Sequence, residues 1–193
     1  MNRAIRSGMG LAFLFAAWCP VALAEGGWRL ELSGGSALDS SNLDRSGDLL
    51  ITGYLDYEIP TTSHTTLIIR TMPLFVYEQQ DTLESWWNEL VSERDIDYDD
   101  LVWGAGAGLA GRLYSKADEH QGFFLELEAL AFVHTGEIKV DDSSIHFLSG
   151  LGLGYQFRSN WQALVRVEHI SNAGLGDLNA GVNAVRLGLG FRF

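Results

Sequence analysis

The chain has 193 residues, with 25 acidic and 13 basic side chains and a formal net charge of -12. This length is sufficient for one domain with a substantial core or for one small membrane barrel. The acidic balance argues against nucleic acid as a partner, because the phosphate backbone requires a basic protein face.

The first residues have the pattern of a secretory signal peptide. Arg3 and Arg6 give a positive start, an apolar run follows at residues 9–18, and Ala22-Leu23-Ala24 is a small-x-small cleavage site. The apolar run is too short for a good membrane-spanning helix. The sequence therefore predicts export, with cleavage after Ala24.

Cleavage would divide the chain into a signal peptide, 1–24, and one mature domain, 25–193. Cys19 is lost with the leader, so no disulfide or thiolate chemistry is expected in the mature domain. No window there approaches twenty apolar residues, which argues against a transmembrane helix.

The mature domain instead shows repeated alternation of apolar and polar residues, which is the pattern of β-strands. The runs lie at about 28–33, 52–58, 64–77, 101–115, 123–134, 145–157, 161–168 and 185–193. In the third run, Leu67, Ile69, Phe75 and Tyr77 are assigned to one apolar face. Most runs are near the length that a tilted strand needs to cross a bilayer.

The charged residues decide which way the apolar face points. The face opposite the apolar one carries arginines and carboxylates in balance: Arg29, Arg70, Arg112, Arg166, Arg186 and Arg192, with Glu31, Asp56, Glu58, Glu126, Glu128 and Glu168. A lipocalin-like barrel or a β-sandwich would turn its apolar face inward, and a half-solvated sheet would not require this balance. An ion-paired interior with an apolar outside predicts an all-β fold, an eight-stranded antiparallel transmembrane barrel of the outer membrane.

The connections between the runs support this topology. Long connections at 37–47, 78–100, 136–143 and 170–182 alternate with short ones at 60–63 and 158–160, and only 116–121 is longer than expected. The longest connection carries apolar residues at helical spacing, Leu83, Trp86, Trp87, Leu90 and Val91. This spacing predicts a short amphipathic helix, either packed over the rim or lying at the membrane interface.

A histidine and a serine stand where the seventh run enters its loop. His169 and Ser171 are two residues apart, so their side chains project to the same face, as a base beside a hydroxyl nucleophile requires. They share the parity of the lipid-facing residues. Polar groups in that position are costly and tend to be functional, which favours a lipid substrate.

The segment His169-Ile170-Ser171-Asn172-Ala173-Gly174, with Asn179-Ala180-Gly181 and the closing strand, resembles the PagL-type lipid A 3-O-deacylases. The resemblance implies an outer-membrane esterase that removes the 3-O-linked acyl chain from lipid A, the lipopolysaccharide anchor of the outer leaflet. It implies that Ser171 is the nucleophile and His169 the general base, without a metal or another cofactor.

The same resemblance implies roles for the surrounding residues. Asn179, with backbone N–H groups near Gly174, would bind the oxyanion, and Asn172 would support the loop. Phe147 would lie near the acyl chain. The remaining histidines, His64, His120, His134 and His146, have no metal-ligand spacing and are expected to be structural or solvated.

One position departs from the family pattern. The family has a glutamate that orients the histidine, and the matching residue here is Asn183. An amide can fix the imidazole tautomer but cannot stabilise the imidazolium with a full charge. Asp177 is an alternative partner, whereas Glu168 lies on the wrong face. The sequence leaves open a slower hydrolase, a different acid, or a barrel that has lost the activity.

Two other functions are compatible with the same fold. A non-enzymatic barrel could act structurally or bind partners through its long loops, and another lipid-modifying barrel could be an acyltransferase or a phospholipid hydrolase. A porin is not expected, because eight strands leave an interior filled by side chains. Acyl-chain preference and the existence of a homodimer are left open.

Overall fold

The computed structural model describes residues 26–39, 45, 47–80, 100–116, 120–138, 141 and 143–193. These residues form the strands β1 (Gly27–Leu38), β2 (Leu49–Pro60), β3 (Thr65–Glu78), β4 (Leu101–Lys116), β5 (Gln121–Thr135), β6 (Ile145–Gln156), β7 (Trp161–Ser171) and β8 (Val182–Arg192). Each strand pairs antiparallel with the next, and β8 pairs with β1 to close the barrel. The predicted eight-stranded antiparallel barrel is confirmed.

The barrel is apolar outside and charged inside, as the alternation predicts. Leu127 and Leu187 are 65% and 70% exposed on the outer wall. The interior charges are buried and paired, with Arg166 Nε 2.9 Å from Glu126 Oε1 and Arg112 Nε 2.5 Å from Glu126 Oε2. Buried charges are tolerated only with such partners, and an apolar exterior is stable only against lipid.

The predicted interior charges are confirmed as buried, with the exception of Arg192. Arg29, Arg70, Arg112, Arg166, Arg186, Glu31, Asp56, Glu58, Glu126, Glu128 and Glu168 are all buried. Arg192 remains partly exposed, and its Nη2 lies 2.6 Å from Glu58 Oε2. The lumen is therefore a packed ionic core rather than a channel.

The apolar part of the interior includes Tyr54, Phe75, Phe132, Leu148 and Ile170. Ile170 is only 1% exposed and lies between His169 and Ser171 in β7. Its burial turns its two neighbours to the opposite face, because side chains alternate along a strand.

The assignment of Phe75 and Tyr77 to the outer face was wrong. Both side chains are fully buried, whereas Leu67 and Ile69 earlier in β3 are exposed. The register against β4 shifts between Met72 and Phe75, so that one extra residue of β3 is inserted beside Pro73. A proline cannot donate to the ladder, and a bulge of this kind moves every later side chain to the other face.

The two ends of the barrel differ in the length of the connections between strands. The strand ends that the longer connections join, at β1–β2, β3–β4, β5–β6 and β7–β8, lie at one end of the barrel, called here the long-loop end, and the strand ends at β2–β3, β4–β5 and β6–β7 lie at the other. The connection expected at 116–121 is in fact short, because β4 continues to Lys116 and β5 begins at Gln121. The predicted signal peptide and the amphipathic segment with Leu83–Val91 lie outside the described residues.

Within the described part of the chain, no α-helix is long and apolar enough to span a bilayer.

Candidate active site

A row of polar residues lies on the outer wall at the long-loop end, and two of them, His169 and Asn183, were singled out in the sequence. Ser149, His169 and Asn183 are direct register partners across β6, β7 and β8, and all three are exposed. Their neighbours toward the other end are apolar, with Val167 opposite Val185 and Leu151 opposite Val167. The result is a short polar row at the edge of an apolar wall.

His169 and Asn183 are joined by a hydrogen bond. His169 Nδ1 lies 2.9 Å from Asn183 Oδ1. An amide oxygen only accepts, so Nδ1 carries the proton and Nε2 keeps the lone pair that a general base requires. The residue at which the resemblance implies a glutamate is thus an amide that fixes the tautomer with Nδ1 protonated.

Ser171 is the last residue of β7, and it is partly exposed on the same wall. Its direct register partner is Phe147 of β6, which is 41% exposed. Side chains of directly opposed residues lie about 4.5–5.5 Å apart at Cβ on one face of a sheet. The serine therefore sits next to a large aromatic surface that faces away from the barrel.

The chain leaves β7 through a tight turn organised by Asn172. The Leu175 N–H donates to the Asn172 carbonyl oxygen at 3.1 Å, and the Gly174 N–H donates to Asn172 Oδ1 at 2.8 Å. Ala173 and Gly174 have φ values of 52° and 79°, both positive, as in a type I′ turn. Glycine at the second position removes one of the two steric costs.

Asn179 and Gly181 complete the loop above the histidine. Asn179 is exposed, and its Oδ1 accepts the Asn172 N–H at 3.3 Å. Gly181 has a φ of 65°, and a Cβ there would lie 3.1 Å from His169 Cε1. Only glycine combines this backbone conformation with so close an approach to the imidazole.

A buried arginine holds Gly181 from inside the barrel. Arg45 Nη2 donates to the Gly181 carbonyl oxygen at 2.9 Å, and Arg45 Nη1 donates to Tyr77 Oη at 2.8 Å. Tyr77 in turn donates to Asp48 Oδ2 at 2.5 Å. The bulge in β3, which turns Tyr77 inward, therefore supports the backbone packed against His169.

Two carboxylates were considered as alternative partners of His169. Glu168 is buried on the inner face and bonded to Arg186, as its parity predicts. Asp177 is an exposed residue of the loop 172–181. In the described part of the chain, no group of three or more His, Cys, Asp or Glu residues is placed to hold a metal ion.

Sequence reasoning did not find Gly181, Arg45, Ser149 or Asp141 as parts of this region. Gly181 could have been found from the sequence, because it belongs to the Asn-Ala-Gly segment that carries the family resemblance. Arg45 and Asp141 come from loops with no distinctive pattern, and only the closed barrel brings them behind β7 and β8.

Three solved structures with a similar architecture are distant from this chain in sequence. Neisserial surface protein A gives a TM-score of 0.47 at 13% identity, covering 88% of this chain and 98% of that one. Outer membrane protein OprG from Pseudomonas aeruginosa gives 0.44 at 11% identity, covering 87% and 95%. Ail, the attachment invasion locus protein of Yersinia pestis, gives 0.43 at 10% identity, covering 87% and 97%. No curated protein sequence matches the chain.

A family profile identifies the chain more specifically. Residues 69–192, which run from β3 to the end of β8 and include every residue of the polar row, match the family described as lipid A 3-O-deacylase (PagL). The match covers more than half of the chain. This protein therefore belongs to the PagL family of lipid A 3-O-deacylases.

Proposed function

We propose that this protein is an outer-membrane serine esterase that removes the 3-O-linked acyl chain from lipid A. The observation that carries the proposal is the His169–Asn183 hydrogen bond beside Ser171 on an apolar wall, within the segment that matches the family. A base with a fixed tautomer next to a hydroxyl is the arrangement of a serine hydrolase.

Ser171 is the proposed nucleophile. Its Oγ attacks the ester carbonyl carbon while His169 Nε2 accepts the hydroxyl proton. The tetrahedral intermediate collapses with cleavage of the bond to the sugar oxygen, which takes the proton back from His169. Water then attacks the acyl-serine with the same base, releasing the fatty acid and restoring Ser171.

Asn179 is the proposed main donor to the oxyanion. Its Oδ1 already accepts the Asn172 N–H, which leaves the Nδ2 hydrogens to donate outward from an exposed side chain. The family resemblance also implies N–H groups near Gly174. Because the Gly174 N–H itself donates to Asn172 Oδ1 at 2.8 Å, we assign Gly174 chiefly to the turn.

The position of the site fits a substrate that is itself a lipid. The polar row lies on the outside of the barrel, where a membrane-embedded ester can reach it without entering the lumen. Phe147, opposite Ser171, offers an apolar surface to the acyl chain. Lipid A and the surrounding outer-membrane lipids are the proposed partners, and the long-loop end then faces the cell exterior after signal-peptide-directed export.

Asn183 is the proposed partner of His169, in preference to Asp177. It already occupies the Nδ1 side of the ring at 2.9 Å. An amide keeps the tautomer but stabilises the imidazolium less than a carboxylate does. Of the three outcomes that the sequence left open, we therefore infer a slower hydrolase.

Mass spectrometry of lipid A from cells that express the protein tests the proposal. Loss of one 3-hydroxyacyl chain is expected with the wild type and not with Ser171→Ala. Ser36→Ala is the matched control, since Ser36 is a serine at the same end of the barrel, on β1. Unchanged lipid A from a correctly folded wild type would favour the non-enzymatic barrel, and a heavier lipid A would indicate an acyltransferase.

A further inference from the structure

A chain of buried hydrogen bonds runs behind the proposed site, on the inner side of the wall. His134 Nε2 lies 2.7 Å from His146 Nδ1, and His146 Nε2 lies 2.7 Å from Asp141 Oδ2. Asp141 Oδ1 accepts from Asn172 Nδ2 at 2.9 Å. All four residues are buried, and Asn172 directly follows Ser171.

All the hydrogen bonds in this series can be donated in the same direction, from His134 through His146 to Asp141. The Asp141 carboxylate only accepts, so His146 Nε2 carries a proton and His146 Nδ1 presents a lone pair. That lone pair accepts the proton on His134 Nε2. The two imidazoles therefore orient the carboxylate rather than compete for it.

Both amide hydrogens and the amide oxygen of the Asn172 side chain are used in hydrogen bonds. One amide hydrogen goes to Asp141 Oδ1 and the other to the Leu178 carbonyl oxygen at 2.7 Å, while the amide oxygen accepts the Gly174 N–H. The side chain thus ties both sides of the loop 172–181 to one point inside the barrel. Without Asp141, one amide hydrogen would lose its buried acceptor, which is costly.

Asp141 touches the loop a second time through its backbone. An isolated β-bridge pairs Asp141 with Asn179, the proposed oxyanion donor. The Asp141 N–H also donates to the Ile138 carbonyl oxygen at 3.0 Å, and Asp141 Oδ1 accepts the Ser143 N–H at 3.2 Å. One residue therefore joins the loop 136–144 to the residues on both sides of the nucleophile's turn.

We propose that Asp141, held by the His146–His134 pair, is a positioning residue that fixes Asn179 and the Asn172–Leu175 turn, which directly follows Ser171, from inside the barrel. The inference rests on the proposed function, in which Ser171 is the nucleophile and Asn179 the oxyanion donor. The turn contains Ala173 at positive φ, and such conformations persist only where the surroundings over-determine them. Asp141 supplies that constraint from the side opposite the substrate.

This role makes two kinds of prediction for Asp141→Ala. Loosening the turn misplaces the reacting groups, so kcat falls roughly 10- to 100-fold, while KM changes little because lipid binds to the outer wall. The amide hydrogens of Gly174 and Leu175, whose acceptors are both on Asn172, exchange with solvent faster by about 10-fold or more. Asp141→Asn gives intermediate values, since a neutral oxygen accepts a weaker hydrogen bond than a carboxylate.

The experiment compares wild type, Asp141→Ala and Asp141→Asn in detergent micelles. Steady-state kinetics on purified lipid A give kcat and KM, and amide hydrogen exchange of segment 171–181 reports the loop without any need for activity. Mobility of unheated and boiled samples in electrophoresis reports the folded barrel. Glu58→Gln is the matched control, because Glu58 is a buried carboxylate of the ionic core, on β2 next to the opposite end.

Faster exchange together with lower kcat, in the predicted order and absent from Glu58→Gln, supports the proposal. Wild-type exchange in either folded Asp141 variant overturns it, as does faster exchange with unchanged kcat, or an effect on KM alone. If Asp141→Ala does not fold, Asp141→Asn decides by the same criteria. A wild type that leaves lipid A intact would refute the proposed function, while the exchange data would still decide whether Asp141 holds the loop.

Discussion

Replacing Asn183 by aspartate tests whether the amide limits the activity. Asn183 Oδ1 accepts from His169 Nδ1 at 2.9 Å, and an aspartate has the same shape, so an oxygen stays in place. The change adds one negative charge beside the imidazole and alters little else. The charge becomes useful only when His169 gains the Ser171 proton, because the imidazolium then forms an ion pair.

The size of the effect follows from the kind of hydrogen bond. A neutral hydrogen bond contributes about 0.5–1.5 kcal/mol net and one to a charged group about 1.5–3 kcal/mol. A difference of about 1–2 kcal/mol in the transition state corresponds to about a 5- to 30-fold increase in kcat. In serine proteases, replacing the buried aspartate by asparagine lowers kcat by a factor on the order of 10⁴. We expect a smaller effect here, because His169 and Asn183 are both exposed and solvent screens their charges.

Initial rates of fatty acid release from lipid A in micelles measure this effect. Asn183→Asp is expected to be faster than the wild type, and Asn183→Leu slower, since leucine leaves Nδ1 without its acceptor. Asp177→Asn serves as the control and should stay within about twofold of the wild type. A folded Asn183→Asp variant that is no faster would show that a charge at this position does not assist catalysis, and loss of rate in Asp177→Asn would identify Asp177 as the acid.

Three further substitutions test the loop and the wall. Gly181→Ala should lower kcat about 10-fold and the free energy of unfolding by about 1–2 kcal/mol. The reason is that the new Cβ would lie 3.1 Å from His169 Cε1, on a residue with a positive φ. Wild-type kinetics would show that the imidazole can accommodate this methyl group without moving. Leu127→Arg, on the 65% exposed outer face, should cost about 2–4 kcal/mol of unfolding free energy in liposomes, measured by denaturant titration. Leu175 is also an exposed leucine but lies in the loop, so Leu175→Arg should cost about 1 kcal/mol or less. Equal costs for the two arginine variants would contradict a lipid-facing wall.

The sequence predicts the barrel well because the barrel depends on a local pattern. Alternation places Arg166 and Glu126 on one face and Leu127 and Val167 on the other, and a closed barrel requires only that this alternation persist along each strand. The prediction fails for Phe75 and Tyr77, because a single inserted residue at Pro73 reverses the faces. Alternation alone does not show where such an insertion falls.

The candidate site likewise has one part that follows from the sequence and another that depends on strand register. His169, Ser171 and Asn172 are neighbours in the chain, and their faces follow from parity. Phe147 and Asn183 were suggested only by family resemblance, and their places opposite Ser171 and His169 depend on the register of two strand pairs.

The sequence by itself therefore determined the class of fold, the inside and outside of most strands, and the face on which His169 and Ser171 lie. These are consequences of spacing along one strand. Only the tertiary structure decided that Arg45 holds Gly181 and that Asp141 holds Asn172. Those contacts join residues far apart in the chain, and they exist because barrel closure brings separate loops to one end, where buried polar groups must find partners.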